Sequence, residues 1–160
     1  MIRRCLSTQA ELKKYRNYIC YLIEFIIIAA LILILVNNFK VIKVSGDSMN
    51  PTLSDGQIVI LKKHCDSYKM NDIVVFSCRD ELCVKRIIGL PSENVYLTNG
   101  EVYVNDVLIK PYYYGGESTL YELDQDDYFV VGDNFNNSVD SRDYGPINSS
   151  DIIGKVILIL

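Results

Sequence analysis

Histidine is nearly missing from this 160-residue chain. His64 stands alone, and the five cysteines contain no C-x-x-C pair, so the usual ligand patterns for a zinc or other metal centre are absent. His64 lies beside Lys62 and Lys63 with no motif around it and reads as a surface residue rather than a catalytic base. An excess of positive charge is lacking too. Sixteen Lys and Arg stand against 20 Asp and Glu, a net charge of −4, which argues against a nucleic-acid binder held by a basic face. Internal repeats and low-complexity segments are absent, and 160 residues leave little room beyond one ordinary domain. Nothing in the pattern calls for a cofactor.

What the chain does contain is unevenly spread. Residues 1–17 carry five cations (Arg3, Arg4, Lys13, Lys14, Arg16) and one acid, Glu11, whereas 37–160 carries 11 cations and 18 acids. Between them, Tyr18 to Val36 is a run of 19 residues with a single charge, Glu24. As a helix this run rises about 28 Å, close to the thickness of a hydrocarbon core. A cleavable signal would have a shorter apolar core and a small-x-small exit, but Asn37-Asn38-Phe39-Lys40 follows here. The organisation expected is therefore a cytoplasmic basic N-terminus (1–17), a single transmembrane helix (18–36) and an outer domain (37–160). The positive-inside rule orients it with 37–160 beyond the cytoplasmic membrane.

Past the anchor, short runs rich in Val, Ile and Tyr alternate with turn signals: 40–45, 57–63, 72–78, 83–88, 95–98, 101–104, 107–109, 128–132 and 152–160. No run of helical length shows helical periodicity, so an all-β domain of antiparallel sheets is expected. Asn99-Gly100 is a strong two-residue hairpin signal, and Asn105-Asp106 a weaker one. The stretch 111–121, PYYYGGESTLY, reads as a surface loop. Cys78 and Cys83 flank four residues that form a hairpin loop if the two cysteines face each other, which leaves a disulfide and two free thiols as open alternatives.

Three clusters carry chemistry: SGDSMNPTL at 45–53, CVKRIIGLP at 83–91 and GDNFNNSVDSR at 132–142. Singly, each is explained by a turn, a strand or an Asn-Asp loop. Together with the anchor, the D-I-V-V-F run and a closing I-G-K, they resemble the bacterial type I signal peptidases. These are membrane-anchored serine endopeptidases with a β-fold that the self-cleaving repressors share. The resemblance implies Ser48 as nucleophile, Lys85 as general base and Ser138 as the hydroxyl that orients the lysine. It further implies a salt bridge between Asp140 and Arg142 bracing the third cluster. Part of the family carries a serine where this chain has Gly46, which throws the oxyanion region onto the backbone of Gly46 and Ser48, with Ser45 a weak candidate for a side-chain donor.

The physical demands agree with these roles. A serine hydroxyl needs a neighbour to take its proton, and with His64 set aside lysine is the candidate base. Its free pKa of about 10.4 must fall to roughly 7–8, a differential destabilisation of the ammonium of roughly 3–4 kcal/mol, which apolar walls such as Val84, Ile87 and Ile88 would supply. Strand alternation sends Arg86 to the face opposite Lys85, where an acid such as Asp140 could meet it. A peptide could then add as a strand beside the segments leading to Ser48 and Lys85, with Val44, Met49, Val84 and Phe76 as candidate pocket walls or plain core. The implied partners are signal peptides of exported preproteins cut after small residues, the lipid bilayer and a nearby export translocon. Relatives suggest that Met49 and Leu53 dip into lipid. Two other readings stay open: a self-cleaving Ser-Lys protease, disfavoured by the membrane span, and an anchored, non-catalytic β-domain that binds exported proteins. Relatives of the eukaryotic and archaeal type are disfavoured by the lysine at position 85.

Overall fold

The computed structural model describes residues 2–78, 81–99, 101–110 and 118–160. The chain divides into two compact units, 1–38 and 39–160. The first is one helix, α1 (Ile2–Asn38), of 37 residues. It contains the expected 18–36 span and begins well before it, because no proline or glycine interrupts residues 2–38. Its Lys13–Asn38 stretch is long and apolar enough to cross a membrane, and none of its apolar window is buried. At its C-terminal end the Asn38 amide donates to the Ile34 carbonyl at 2.8 Å, satisfying one of the carbonyls that a helix end leaves open.

The second unit is built from antiparallel strands. Seven of them, β1 (Phe39–Lys43), β2 (Ile58–Lys62), β3 (Ile73–Cys78), β4 (Glu81–Gly89), β9 (Asp127–Val131), β10 (Ile147–Asn148) and β11 (Ile152–Ile159), form one sheet in the order β1-β2-β11-β3-β4-β9-β10. The other four, β5 (Asn94–Thr98), β6 (Glu101–Val104), β7 (Val107–Lys110) and β8 (Thr119–Glu122), form a second sheet in the order β7-β6-β5-β8. Both expected hairpins are present. Thr98 pairs with Glu101 around Asn99-Gly100, and Val104 with Val107 around Asn105-Asp106. Asn99, Asn105 and Asp106 all hold positive φ angles, as two-residue turns that follow the strand twist require.

The large sheet is buried on both faces in its middle. Val74 and Phe76 of β3 point into one cluster with Ile87, Tyr128, Val130 and Ile147, while Val75 joins Val44, Met49, Leu53, Val59 and Leu61 on the other side. The small sheet lays Val95, Leu97, Val102 and Val104 over Ile88, Phe129 and Val131. Each such side chain withdrawn from water stabilises by about 1.5–3 kcal/mol. Met49 and Leu53 are almost wholly buried in this packing, so the expectation that they reach lipid is corrected: they anchor the turn around Ser48 to the sheet. The exposed apolar side chains of that region are instead Val41, Ile58 and 157–160. A second correction concerns 111–121. Thr119–Tyr121 belong to β8, paired with β5, and 111–117 lie outside the described residues.

Candidate active site

Ser48 sits in the turn that follows β1. The turn starts at Gly46, whose φ of +87° is a conformation that side-chain-bearing residues rarely adopt. The Gly46 N–H donates to Asp55 Oδ1 at 2.8 Å, and Met49 and Leu53 pin the turn from below. Lys85 comes from the centre of β4, opposite Val74 of β3. Only 4% of it is exposed, and its Nζ donates to Ser48 Oγ at 2.7 Å. The resemblance paired these two side chains across 37 positions, and the fold brings them into hydrogen-bond contact.

The third cluster surrounds this pair. After β9, Asn134 reaches back to the Ser48 turn: its N–H donates to the Ser48 carbonyl at 3.0 Å and its amide to the Asp47 carbonyl at 3.0 Å. Asp140 caps the short helix α2 (Ser141–Tyr144) in a capping box with Asp143. Its carboxylate, fully buried, takes Arg142 in a two-pronged pair, Nε on Oδ1 at 2.8 Å and Nη2 on Oδ2 at 2.9 Å. The same carboxylate accepts from the Gly132 N–H and from Ser138 Oγ, each at 2.8 Å. The Asp140–Arg142 bridge is thus present as the resemblance implied. Ser138 spends its proton on Asp140, and among the described residues it makes no hydrogen bond to Lys85. Gly132 lies between Ser138 and the Ser48 turn: a Cβ there would collide with Ser138 Oγ and with the Ser48 carbonyl oxygen.

Arg86 does point away from Lys85, but its acid is Asp133, not Asp140. Nε meets Oδ1 at 2.8 Å and Nη2 meets Oδ2 at 2.6 Å, with further bonds to the Asn71 carbonyl and Thr52. The reason is register. Arg86 pairs with Val131, and two residues on, Asp133 emerges on the same face. Asp55, Asp133 and Asn134 carry no role in the sequence reading, although the last two belong to the G-D-N triplet. The Gly46 N–H is engaged by Asp55, whereas the Ser48 N–H has no hydrogen-bond partner among the described residues.

Burial of the ammonium drives the Lys85 pKa below its usual value. The nearby Asp140 carboxylate works against this, and the Arg142 guanidinium, bound to that carboxylate, restores part of it. Pairing Asp140 with Arg142 therefore lets a carboxylate organise the site without holding the lysine charged. Beside the Ser48–Lys85 contact runs a cleft of about 310 Å³ between the end of β1 with the turn that follows it, 42–49, and the start of β4, 81–85. Val44, Met49 and Val84 line it, as does Ser45, while Phe76 is not part of its wall and packs in the core with Ile87 and Tyr128. Since β4 pairs with β9 only from Arg86 onward, its first five residues keep one edge beside this cleft without a strand partner among the described residues.

A model of the family described as "Signal peptidase, peptidase S26" matches residues 17–160. The chain belongs to this family. It is accordingly a serine peptidase, preceded by one apolar helix of membrane-spanning length. Relatives include signal peptidase I of Bacillus amyloliquefaciens, 35% identical over 136 residues, covering 73% of this chain and 74% of that protein. Signal peptidase I P of Bacillus subtilis subsp. natto is 32% identical over 166 residues, covering 90% of this chain and 89% of its own. Among solved structures, a signal peptidase I from Enterococcus faecalis V583 superposes with a TM-score of 0.48 at 26% identity, covering 59% of this chain and all of that one. The four free cysteines described are Cys20, Cys65, Cys78 and Cys83, so of the two alternatives for Cys78 and Cys83 the structure holds the thiols. Cys83 pairs with Phe76 and Cys78 with Glu81, which makes the cysteines diagonal rather than opposite neighbours.

Proposed function

We propose that this peptidase removes signal peptides by a Ser48–Lys85 dyad, cutting after small residues at the outer surface of the cytoplasmic membrane. The observation that carries the reading is the 2.7 Å contact between Ser48 Oγ and a lysine that is 96% buried. With the amine neutral, the proton lies on the hydroxyl side of that contact. Nζ takes it as Oγ attacks the scissile carbonyl, the developing oxyanion meets the Ser48 N–H, and Nζ returns the proton to the departing amide nitrogen. The resulting ester on Ser48 is hydrolysed by a water that the same amine deprotonates. Ser138 and Arg142 act through Asp140, which fixes the Gly132 backbone against the Ser48 turn.

The β4 edge at 81–85 and the segment 42–45 suit an extended peptide that adds as a strand, with alternate side chains entering the shallow cleft. Five cations ahead of the apolar run support an N-terminus inside and a catalytic unit outside. Only eleven residues separate Val36 from Ser48, which keeps the site within roughly 40 Å of the bilayer even on a fully extended linker. That is where a signal peptide emerges from an export translocon.

Incubating the detergent-solubilised protein with a preprotein ending its signal in Ala-x-Ala, then weighing the products, should reveal one cut directly after the second alanine. Cuts scattered elsewhere, or none, would refute the reading. The pH profile is a second check. Because the base works only when neutral and its pKa is lowered, kcat/KM should climb along an acid limb placed below the ordinary lysine range. A flat profile from about pH 5 to pH 9 would exclude a lysine base. Gly132→Ala is a third. Pushing Ser138 and the Ser48 carbonyl apart by a fraction of an ångström to an ångström should lower kcat by on the order of 10²-fold, with KM little changed, measured by steady-state cleavage beside a thermal melt.

A further inference from the structure

The β3–β4 hairpin carries two thiols that the proposed chemistry leaves idle. Cys78 ends β3 and Cys83 lies near the start of β4, with both side chains on the same face of the sheet as Lys85. Both are partly buried, and both line a cavity of about 350 Å³ together with Glu81, Val139 and Tyr144. Cys83 also belongs to the wall of the Ser48–Lys85 cleft. It stands two residues before Lys85 on the same strand. The pair therefore occupies the partition between an accessible cavity and the cleft.

We propose that Cys78 and Cys83 form a reversible redox pair that a small-molecule disulfide closes, and that closure slows cleavage. The inference rests on the reading of that cleft as the catalytic one. The exchange proceeds in two balanced steps. The Cys78 thiolate attacks a disulfide RSSR, making a Cys78–SR mixed disulfide and releasing one thiolate RS⁻. The Cys83 thiolate then attacks the Cys78 sulfur and expels the second RS⁻, so two protein thiols and RSSR become one protein disulfide and two RSH. Burial pushes the Cys83 thiol pKa up and so lowers its thiolate fraction, a loss that the high local concentration of the neighbouring Cys78 sulfur offsets in the second, intramolecular step.

Diagonal strand neighbours stand about 7–8 Å apart at Cα, whereas a disulfide requires about 4.4–6.8 Å. The bond can close only by drawing the start of β4 toward the end of β3. That movement withdraws the Cys83 sulfur from the cleft wall and displaces the strand carrying Lys85. It also leaves the disulfide strained, hence readily reduced. Together these make a site for reversible control rather than a permanent staple.

The test equilibrates the full-length protein in detergent with oxidised or reduced glutathione, alkylates the remaining thiols, and maps the cysteine peptides by mass while following cleavage of a signal-peptide substrate. The expected result is a Cys78–Cys83 crosslink under oxidised glutathione and a fall in kcat/KM of about tenfold or more, both reversed by dithiothreitol. Cys78→Ser, or Cys78→Ala should the serine variant melt early, should keep the basal rate and lose the response. Full alkylation of both cysteines after oxidised glutathione, or a crosslinked protein that cleaves at the unaltered rate, would overturn the proposal. A reduced protein that cuts nothing would overturn the peptidase reading and with it the control of cleavage, whereas the mass map decides the bond independently.

Discussion

Ser48→Ala and Lys85→Met are each expected to lower kcat/KM by on the order of 10⁴-fold or more while leaving the fold intact. Members of a catalytic unit fail together, so the double variant should be scarcely worse than either single one. The two substitutions should differ in stability. Ser48→Ala removes a hydroxyl at a half-buried turn and should leave the melting temperature nearly unchanged. Lys85→Met replaces an amine buried among apolar walls with a side chain of similar length and no charge to desolvate. In the parent, the folded-state pKa of Lys85 lies below its unfolded value. Between those two values the unfolded chain binds more protons, so the parent gains stability as pH rises through that window. The Met variant should therefore melt higher than the parent, by most at pH values below the folded pKa, and the difference should vanish as pH approaches about 10.5. Thermal melts across pH, set beside cleavage assays, check both halves. A kcat/KM within about 10²-fold of the parent in either single variant would remove the dyad.

Nine of the strands described were legible from their Val-, Ile- and Tyr-rich runs and the turn residues at their ends, and most of them, though not β1 or β7, have a buried face. Two were not. β8 (Thr119–Glu122) follows a Gly-Gly pair and has the burial pattern of a strand lying at the edge of a small sheet, so its apolar alternation is weak. β10 is two residues long, too short for any period. The sites divide in a similar way. Ser48 and Lys85 stood out because serine and lysine in those motifs have few bland uses in combination. Asp133, Asn134 and Asp55 act by bonding to backbone or to an arginine, and nothing in a single sequence separates such an Asp or Asn from a loop residue. The partner of Arg86 required the β4–β9 register, which places Val131 opposite Arg86 and so offers Asp133. The placement of Cys83 required the pairing of Cys78 with Glu81, which sets the two cysteines diagonally rather than opposite each other.

Arg142→Ala is expected to be the most damaging single change outside the dyad. The Asp140 carboxylate is fully buried and its guanidinium partner is 4% exposed, so truncating Arg142 strands a charge where water cannot reach it. Breaking such a pair destabilises by about 3–5 kcal/mol, which for a unit of this size lowers the melting temperature by on the order of 10–20 °C. Two further hydrogen bonds go with it, from Arg142 to the Phe135 carbonyl at 3.1 Å and to the Ser138 carbonyl at 3.5 Å, together with a cation–π contact over the Phe135 ring. The variant also has a consequence for catalysis that a purely structural arginine would not produce. Arg142 lowers the Lys85 pKa and Asp140 raises it, so removing the guanidinium leaves the carboxylate unopposed and the amine holds its proton to higher pH. The acid limb of kcat/KM should move upward in pH. Arg142→Lys separates the two effects: it keeps a positive charge beside Asp140 but cannot make the two-pronged contact. That variant should retain much of the stability loss while its acid limb stays closer to the parent's. An unshifted limb in a folded Arg142→Ala protein would sever the electrostatic link between the third cluster and Lys85, leaving Asp140 and Arg142 as scaffolding alone.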